Sequence, residues 1–119
     1  MVALGKQAMD PGEAVGCVTL PPDEMAARAA EAATFLKALS HEGRLMILCH
    51  LSSGEKSVTE LEARLGARQA AVSQQLARLR AEGLVAARRD GKAIYYSIKD
   101  PKAGAIMERV YDLFCNPNP

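Results

Sequence analysis

The fold is decided by residues 70–98, "AAVSQQLARLRAEGLVAARRDGKAIYYSI", in which the spacing of apolar residues changes from helical to alternating. Three apolar residues of the first half recur at a spacing that places them on one face of a helix. They are Val72, Leu76 and Leu79. Gly83 ends this pattern, so the stretch predicts a helix from about residue 68 to residue 82.

The second half of the same stretch predicts a β-hairpin. Asp90 and Gly91 form a pair that tolerates the positive φ angles of a two-residue turn. Side chains alternate between the two faces of a strand, and the residues after the turn follow that alternation. One face of the second strand is assigned to Ile94, Tyr96 and Ile98, and the other to Tyr95 and Ser97.

A second, shorter helix is predicted immediately before the first. The segment "SVTE", residues 57–60, has the pattern of a capping box, in which Ser57 and Glu60 each bond to the other's backbone N–H. Gly66 is a stop signal for the helix that begins there. Two helices joined by a tight break and followed by a hairpin predict a winged helix-turn-helix.

Helices are also predicted on both sides of this unit. One runs from about residue 22 to 39, and a second, capped by Ser40, ends near Ser53 and Gly54. Pro101 begins a last helix, whose apolar stripe is Ile106, Met107, Val110, Leu113 and Phe114. The predicted class is therefore mainly α with a small β-hairpin, in the order α-α-α-α-β-β-α. Residues 1–20 are expected to be a flexible leader, 21–116 one domain and 117–119 a C-terminal tail.

Length and composition restrict the classes of protein that fit. A chain of 119 residues with 49% hydrophobic residues builds one domain, and a core this small often leaves apolar surface for a partner subunit. Three cysteines are too few for a secreted disulfide framework, which indicates a reducing cytoplasm. No apolar run approaches the length of a transmembrane helix, so a membrane partner is not expected.

The charge distribution and the outward residues suggest a nucleic-acid partner. The net charge is only +1, but residues 64–92 contain seven basic and two acidic residues. A basic segment in an otherwise less basic chain is typical of a protein that binds a polyanion. An ordinary solvated surface can show the same uneven distribution of charge. The residues predicted to contact DNA are Gln69, Ser73, Gln74 and Arg78 on the second helix of the pair, and Arg88, Arg89 and Lys92 around the turn.

Residues 35–98 resemble the arsenic-repressor superfamily of dimeric winged-helix repressors, the ArsR/SmtB type. The resemblance is carried by "ALSHEGRLMIL", "AAVSQQLARLRAEGLV" and "RRDGKAIYYSI". It implies a homodimer formed through the first and last helices and double-stranded operator DNA as partner. By this resemblance, Gln69, Ser73 and Gln74 occupy positions that commonly contact DNA.

Many members of this superfamily release DNA when they bind a metal. One known site uses a Cys-x-Cys pair where this sequence has "SVTELEARL", and the other uses Asp and His on the last helix, which reads "DPKAGAIMERVYDLFC". The first segment has no cysteine and the second has no histidine. Because zinc needs about four converging ligands, a metal at either site is disfavoured, and no cofactor is expected.

Two cysteines provide a different candidate sensor. Cys49 lies in "RLMILCHL", where periodicity places it inward and favours an inert core residue, and Cys115 ends the last helix. Together they resemble the persulfide- and sulfide-responsive branch of the family, the SqrR/BigR type. That resemblance implies a Cys49–Cys115 disulfide or polysulfide bridge, formed on exposure to low-molecular-weight persulfides or polysulfides. Cys17, in the predicted leader, is assigned no role.

Three alternatives stay open at the level of sequence. One is a repressor of the same family that responds to a different inducer: a metal at an unfamiliar site, haem, or peroxide. A thiol enzyme would require an activated cysteine near histidine or a Cys-x-x-Cys pair, and neither arrangement is evident. A winged-helix domain that binds another protein is the third alternative.

Overall fold

The computed structural model describes residues 19–116, in two units that meet between Lys37 and Ala38. The described part of the first unit is mainly helix α1 (Pro22–Leu39), whose last two residues belong to the second unit. Asp23 and Glu24 lie in its first turn, where carboxylates interact favourably with free backbone N–H groups. The helix has the predicted bounds.

The described part of the second unit, residues 38–116, contains four more helices and three strands. They are α2 (Glu42–Leu51), β1 (Lys56–Ser57), α3 (Val58–Leu65), α4 (Gln69–Ala81), β2 (Val85–Asp90), β3 (Ala93–Ile98) and α5 (Pro101–Phe114). Helices α3 and α4 form the helix-turn-helix, and β2 and β3 form the wing. The element order agrees with the prediction, except that β1 is additional.

The core of the second unit lies between α2, α3, α4 and the base of the wing. Its largest completely enclosed side chains are Ile47, Leu48, Leu61, Val72, Leu76, Leu79 and Val85. The predicted apolar stripe of α4 is thus buried in full. Because one face of α4 is fixed in the core, its opposite face is directed to solvent.

The wing is part of a three-stranded antiparallel sheet, in the order β1-β3-β2. Strand β1 pairs through Lys56 with Tyr96 and through Ser57 with Tyr95. Two residues are too few to show an alternating pattern, which explains why the sequence did not predict this strand. Ser57 is also the N-cap of α3, so the wing and the helix-turn-helix are joined through one residue.

The hairpin turn lies one residue later than predicted. Asp90 pairs with Ala93, so the two loop residues are Gly91 and Lys92 rather than Asp90 and Gly91. Gly91 has a φ of +64°, in the left-handed region, whereas Lys92 does not. Glycine at the first loop position is typical of a type II′ turn, which matches the twist of the strands and sets this register.

The helix starts confirm one predicted cap and correct another. In α3, Ser57 Oγ accepts from the Glu60 N–H at 3.1 Å and Glu60 Oε1 accepts from the Ser57 N–H at 2.9 Å, as predicted. The bond from the Ser57 N–H lowers the pKa of the Glu60 carboxyl. The N-cap of α2, however, is His41 and not Ser40, because Nδ1 of His41 accepts from the Gly43 N–H at 3.0 Å.

Candidate DNA-binding surface and thiol groove

The solvent face of α4 carries the four residues that were predicted to contact DNA from this helix. Gln69, Ser73, Gln74 and Arg78 are all exposed. The alanines between them are exposed as well, and their short side chains allow the helix to approach the base edges in a major groove. Arg78 is partly engaged by an ion pair of 3.3 Å with Glu82, one turn further along the helix.

Polar contacts with the start of α2 fix helix α4 on the side away from its predicted DNA-binding residues. Arg44 donates from Nη1 to Oε1 of Gln75 at 3.0 Å and from Nε to the carbonyl oxygen of Ala38 at 2.7 Å. Nε2 of His41 lies 3.5 Å from Nε2 of Gln75. These contacts fix α4 against the start of α2. Sequence reasoning did not single out Arg44 or Gln75, since their positions are 31 residues apart.

A small cleft separates the start of α3, the start of α4 and the tip of the wing. Gln69 and Lys92, predicted on separate elements, both line it, together with Thr59 and Tyr95. An amide, a hydroxyl and an ammonium group thus border one opening of about 190 Å³. Such donors suit a phosphate backbone that passes between the helix and the wing.

The predicted cations of the wing differ in their surroundings. Arg89 and Lys92 are exposed, and neither forms an ion pair with another residue in the part of the chain described. Arg88, by contrast, donates from Nε and Nη2 to the two carboxylate oxygens of Glu55, at 2.9 and 2.7 Å. The bonds from Arg88 lower the pKa of Glu55, and those to Glu55 raise the pKa of Arg88.

Cys49 is exposed, which corrects the prediction that it faces inward. The buried residues of α2 are Ile47, Leu48 and Leu51. Successive residues on a helix are rotated by about 100°, so Cys49 lies off the line that these residues form. Its thiol is therefore available at the surface of this chain rather than enclosed in the core.

Cys49 opens into a groove between the end of α2 and helix α5. The α5 side of this groove includes Gly104, Glu108 and Tyr111, and Glu55 lies on the other side. Cys115 is the C-cap of α5, and its N–H donates to the carbonyl oxygen of Tyr111 at 2.8 Å. Cys115 is exposed and, like Cys49, a free thiol. Cys49 and Tyr111 thus line the same groove, and Cys115 follows Tyr111 by one helical turn.

The described residues contain neither a candidate metal site nor a helix that could span a membrane. Over residues 19–116, no three His, Cys, Asp or Glu side chains converge in a way that would hold a metal ion. No helix in that range has both the length and the hydropathy needed to span a membrane. Cys17 lies outside the described residues.

Comparison with known proteins places this geometry in a family. The model of "Bacterial regulatory protein, arsR family" matches residues 41–87, which include α2, α3, α4 and the start of the wing. The biofilm growth-associated repressor of Agrobacterium fabrum is 47% identical over 103 residues, which are 87% of this chain and 86% of the relative.

Solved structures give the same assignment. Reduced HlyU from Vibrio cholerae superimposes with a TM-score of 0.76 and 40% identity, over 79% of this chain and 99% of that one. The transcriptional repressor BigR from Xylella fastidiosa superimposes with a TM-score of 0.75 and 43% identity, over 82% and 99% of the two chains. These proteins are regulators of transcription and not enzymes. The chain therefore belongs to the ArsR family of bacterial regulatory proteins, as a BigR-like transcriptional repressor.

Proposed function

We propose that this repressor binds operator DNA in the cytoplasm as a homodimer and releases it when reactive sulfur species bridge Cys49 and Cys115. The observation that supports this proposal is the placement of the two thiols. Both are free and exposed, and Cys49 opens into a groove whose far wall is the helix that ends at Cys115. A thiol of this kind is accessible to a small sulfur donor, whereas a core cysteine is not.

The bridging chemistry is an exchange between thiolates and sulfane sulfur. The Cys115 thiolate attacks the outer sulfur of a low-molecular-weight persulfide, expels the donor as a thiolate and becomes Cys115–S–SH. The Cys49 thiolate then attacks the inner sulfur of that group and expels HS⁻, which leaves a disulfide. If Cys49 is persulfidated first, the same attack leaves a trisulfide. In both cases the protein thiols are oxidised and sulfane sulfur is reduced.

The position of Cys115 favours a bridge that contains added sulfur. A direct disulfide requires Cα atoms within about 7 Å, whereas each inserted sulfur atom lengthens the reach. Tyr111, which borders the groove with Cys49, precedes Cys115 by one helical turn, and a turn rises about 5.4 Å. A polysulfide spans this extra distance with less movement of α5 than a disulfide demands.

The bridge acts on DNA through α2, which carries both Cys49 and the residues that hold α4. Arg44 and His41 contact Gln75 on the face of α4 opposite the DNA-binding residues. Tying the end of α2 to α5 therefore changes the element against which α4 is oriented. An altered orientation of α4 in each protomer lowers the affinity for operator DNA.

Mass spectrometry after treatment with a low-molecular-weight persulfide tests the proposal directly. Trypsin places the two thiols in separate peptides, residues 45–56 and 110–119. We expect these peptides to become linked, with a mass gain of about 32 Da for each inserted sulfur and a loss of about 2 Da for the two hydrogens. The linkage should disappear after reduction with dithiothreitol, which distinguishes it from sulfinic acid.

Two outcomes of this experiment count against the proposal. One is a persulfide treatment that leaves both peptides unmodified. The other is a linked protein that still binds DNA with unchanged affinity. Parallel treatment with hydrogen peroxide separates the competing inducer, because peroxide can link the peptides only without added sulfur.

The proposed homodimer is supported by apolar side chains that are exposed to solvent in the single chain. On α5, the stripe that is buried at Ala103 and Met107 continues to Leu113 and Phe114, which are 63% and 82% exposed. On α1, Met25 and Leu36 are also exposed. Uncovered apolar side chains at the end of an otherwise buried stripe are typical of a subunit interface.

Replacing Phe114 by glutamate should therefore dissociate the dimer. A buried phenylalanine contributes about 1.5–3 kcal/mol, and a two-fold interface contains it twice, so the dimer Kd should rise at least ~100-fold. Sedimentation velocity over a range of concentrations measures this change. Phe114→Leu is the matched control and should keep the dimer; a native protein that is already monomeric would contradict the assignment.

A further inference from the structure

Arg88 is the wing cation that is already bound within the chain. We propose that Glu55 is an internal competitor for Arg88: it withholds this guanidinium from the DNA backbone and thereby limits the affinity of the wing for phosphate. The cations that the wing offers to DNA are then Arg89 and Lys92. Arg88 instead spans the sheet.

The geometry of the sheet produces this arrangement. Arg88 lies on β2, directly opposite Tyr95 on the central strand β3, and Glu55 immediately precedes β1 at the other edge. The Arg88 guanidinium lies over the Tyr95 ring, 4.9 Å from its centroid, and ends on both oxygens of Glu55. One side chain thus joins the two edges of the sheet. Asp90 adds a longer contact, at 3.8 Å from Nη1.

Carboxylate and phosphate compete for the same donors of arginine. The planar guanidinium binds either group through two parallel N–H bonds, so an Arg88 bound to Glu55 has its matching edge occupied. The Glu55 carboxyl is ionised at neutral pH even at its ordinary pKa, and Arg88 lowers that pKa further, so the competition persists under these conditions. The pair is exposed, so solvent weakens it and DNA phosphate can reach it.

Glutamine at position 55 removes the competing charge while it preserves the size of the side chain. For Glu55→Gln, we expect the affinity for a short, labelled DNA duplex of mixed sequence to rise about three- to tenfold at low salt. The dependence of log K on log salt should steepen by about 0.9 for each phosphate that Arg88 gains. Fluorescence anisotropy at several salt concentrations measures both quantities, and a duplex of mixed sequence suffices because the contact is to the backbone.

A double-mutant cycle with Arg88→Gln is the matched control, since Glu55→Gln changes the net charge equally in both backgrounds. Arg88→Gln alone should weaken binding less than about twofold, and Glu55→Gln should have little further effect in that background. An equal gain in both backgrounds would assign the effect to net charge and overturn the proposal. A loss of affinity in Glu55→Gln would also overturn it, because Glu55 would then position Arg88 for DNA.

Arg88→Lys provides a second measurement that does not alter Glu55. Lysine keeps the charge but lacks the planar guanidinium that binds both carboxylate oxygens of Glu55. The lysine should therefore dissociate from Glu55 more easily, so this variant should also bind DNA more tightly. Unchanged or weaker binding by this variant would contradict the competition. Thermal melting of each variant establishes that it is folded. None of these measurements involves persulfide, so the result is independent of the proposed thiol bridge.

Discussion

Substituting Cys49 by serine is expected to leave DNA affinity within about twofold of the native protein and to abolish its release by persulfide. Serine is close in size to cysteine, and the Cys49 side chain is exposed, so its replacement disturbs no core contact. Without the thiol at position 49, Cys115 can still be persulfidated but has no partner for the bridge. Coupling between two sites is typically 5- to 150-fold in affinity, and all of it should be lost.

Anisotropy titrations of operator DNA with and without persulfide measure this loss. Cys115→Ser should behave in the same way, because both ends of the bridge are required. Cys17→Ser is the matched control, which removes the third thiol and should retain full release. If Cys49→Ser still releases DNA on treatment, the bridge is not the switch, whatever mass spectrometry detects.

Removing the two unpaired wing cations should cause the largest loss of DNA affinity. In the proposed dimer, Arg89→Gln with Lys92→Gln removes four expected phosphate contacts, each of which would contribute about 0.9 to the slope of log K against log salt. The slope should therefore become about 3.6 shallower, and affinity near physiological salt should fall roughly 10³-fold. The loss should be similar for operator and mixed-sequence DNA, because we expect the wing to contact phosphates rather than bases.

The matched control removes the same number of charges after the end of β3, at Lys99 and at Lys102 in the first turn of α5. Lys99→Gln with Lys102→Gln changes the net charge equally, but these residues follow β3 and lie away from the turn. This control should lose much less affinity than the wing variant. Equal losses in both variants would show that overall charge, rather than the wing, determines binding.

The parts of the fold that depend on neighbouring residues could be predicted from the sequence. The α4 stripe and the α3 capping box both follow from spacings of three or four residues, and the structure contains both. The predicted outward face of α4 followed from the same stripe. Local spacing therefore identified the helix-turn-helix and the face that it presents.

Features that depend on how distant segments meet could not be predicted. Arg88 and Glu55 are 33 residues apart, and they meet only because β1 joins the sheet beside β3. Periodicity aligned Cys49 with Leu45 and Leu48 and predicted that it faces inward, but the run is apolar on every side, and the buried residues are Ile47, Leu48 and Leu51. The structure therefore differs from the prediction at two candidate residues: Arg88 is paired with Glu55, and Cys49 is exposed.

The two-residue strand β1 determines how this protein can adapt to its operators. Because β1 pairs with β3 and ends at the N-cap of α3, the wing and the helix-turn-helix move together. The distance between the proposed base contacts of α4 and the proposed phosphate contacts of the wing is then expected to be fixed within each protomer. In the proposed dimer, operators that differ in half-site spacing would be accommodated by the angle between protomers. We therefore expect selectivity for spacing to depend on the subunit interface, and selectivity for bases to depend on α4.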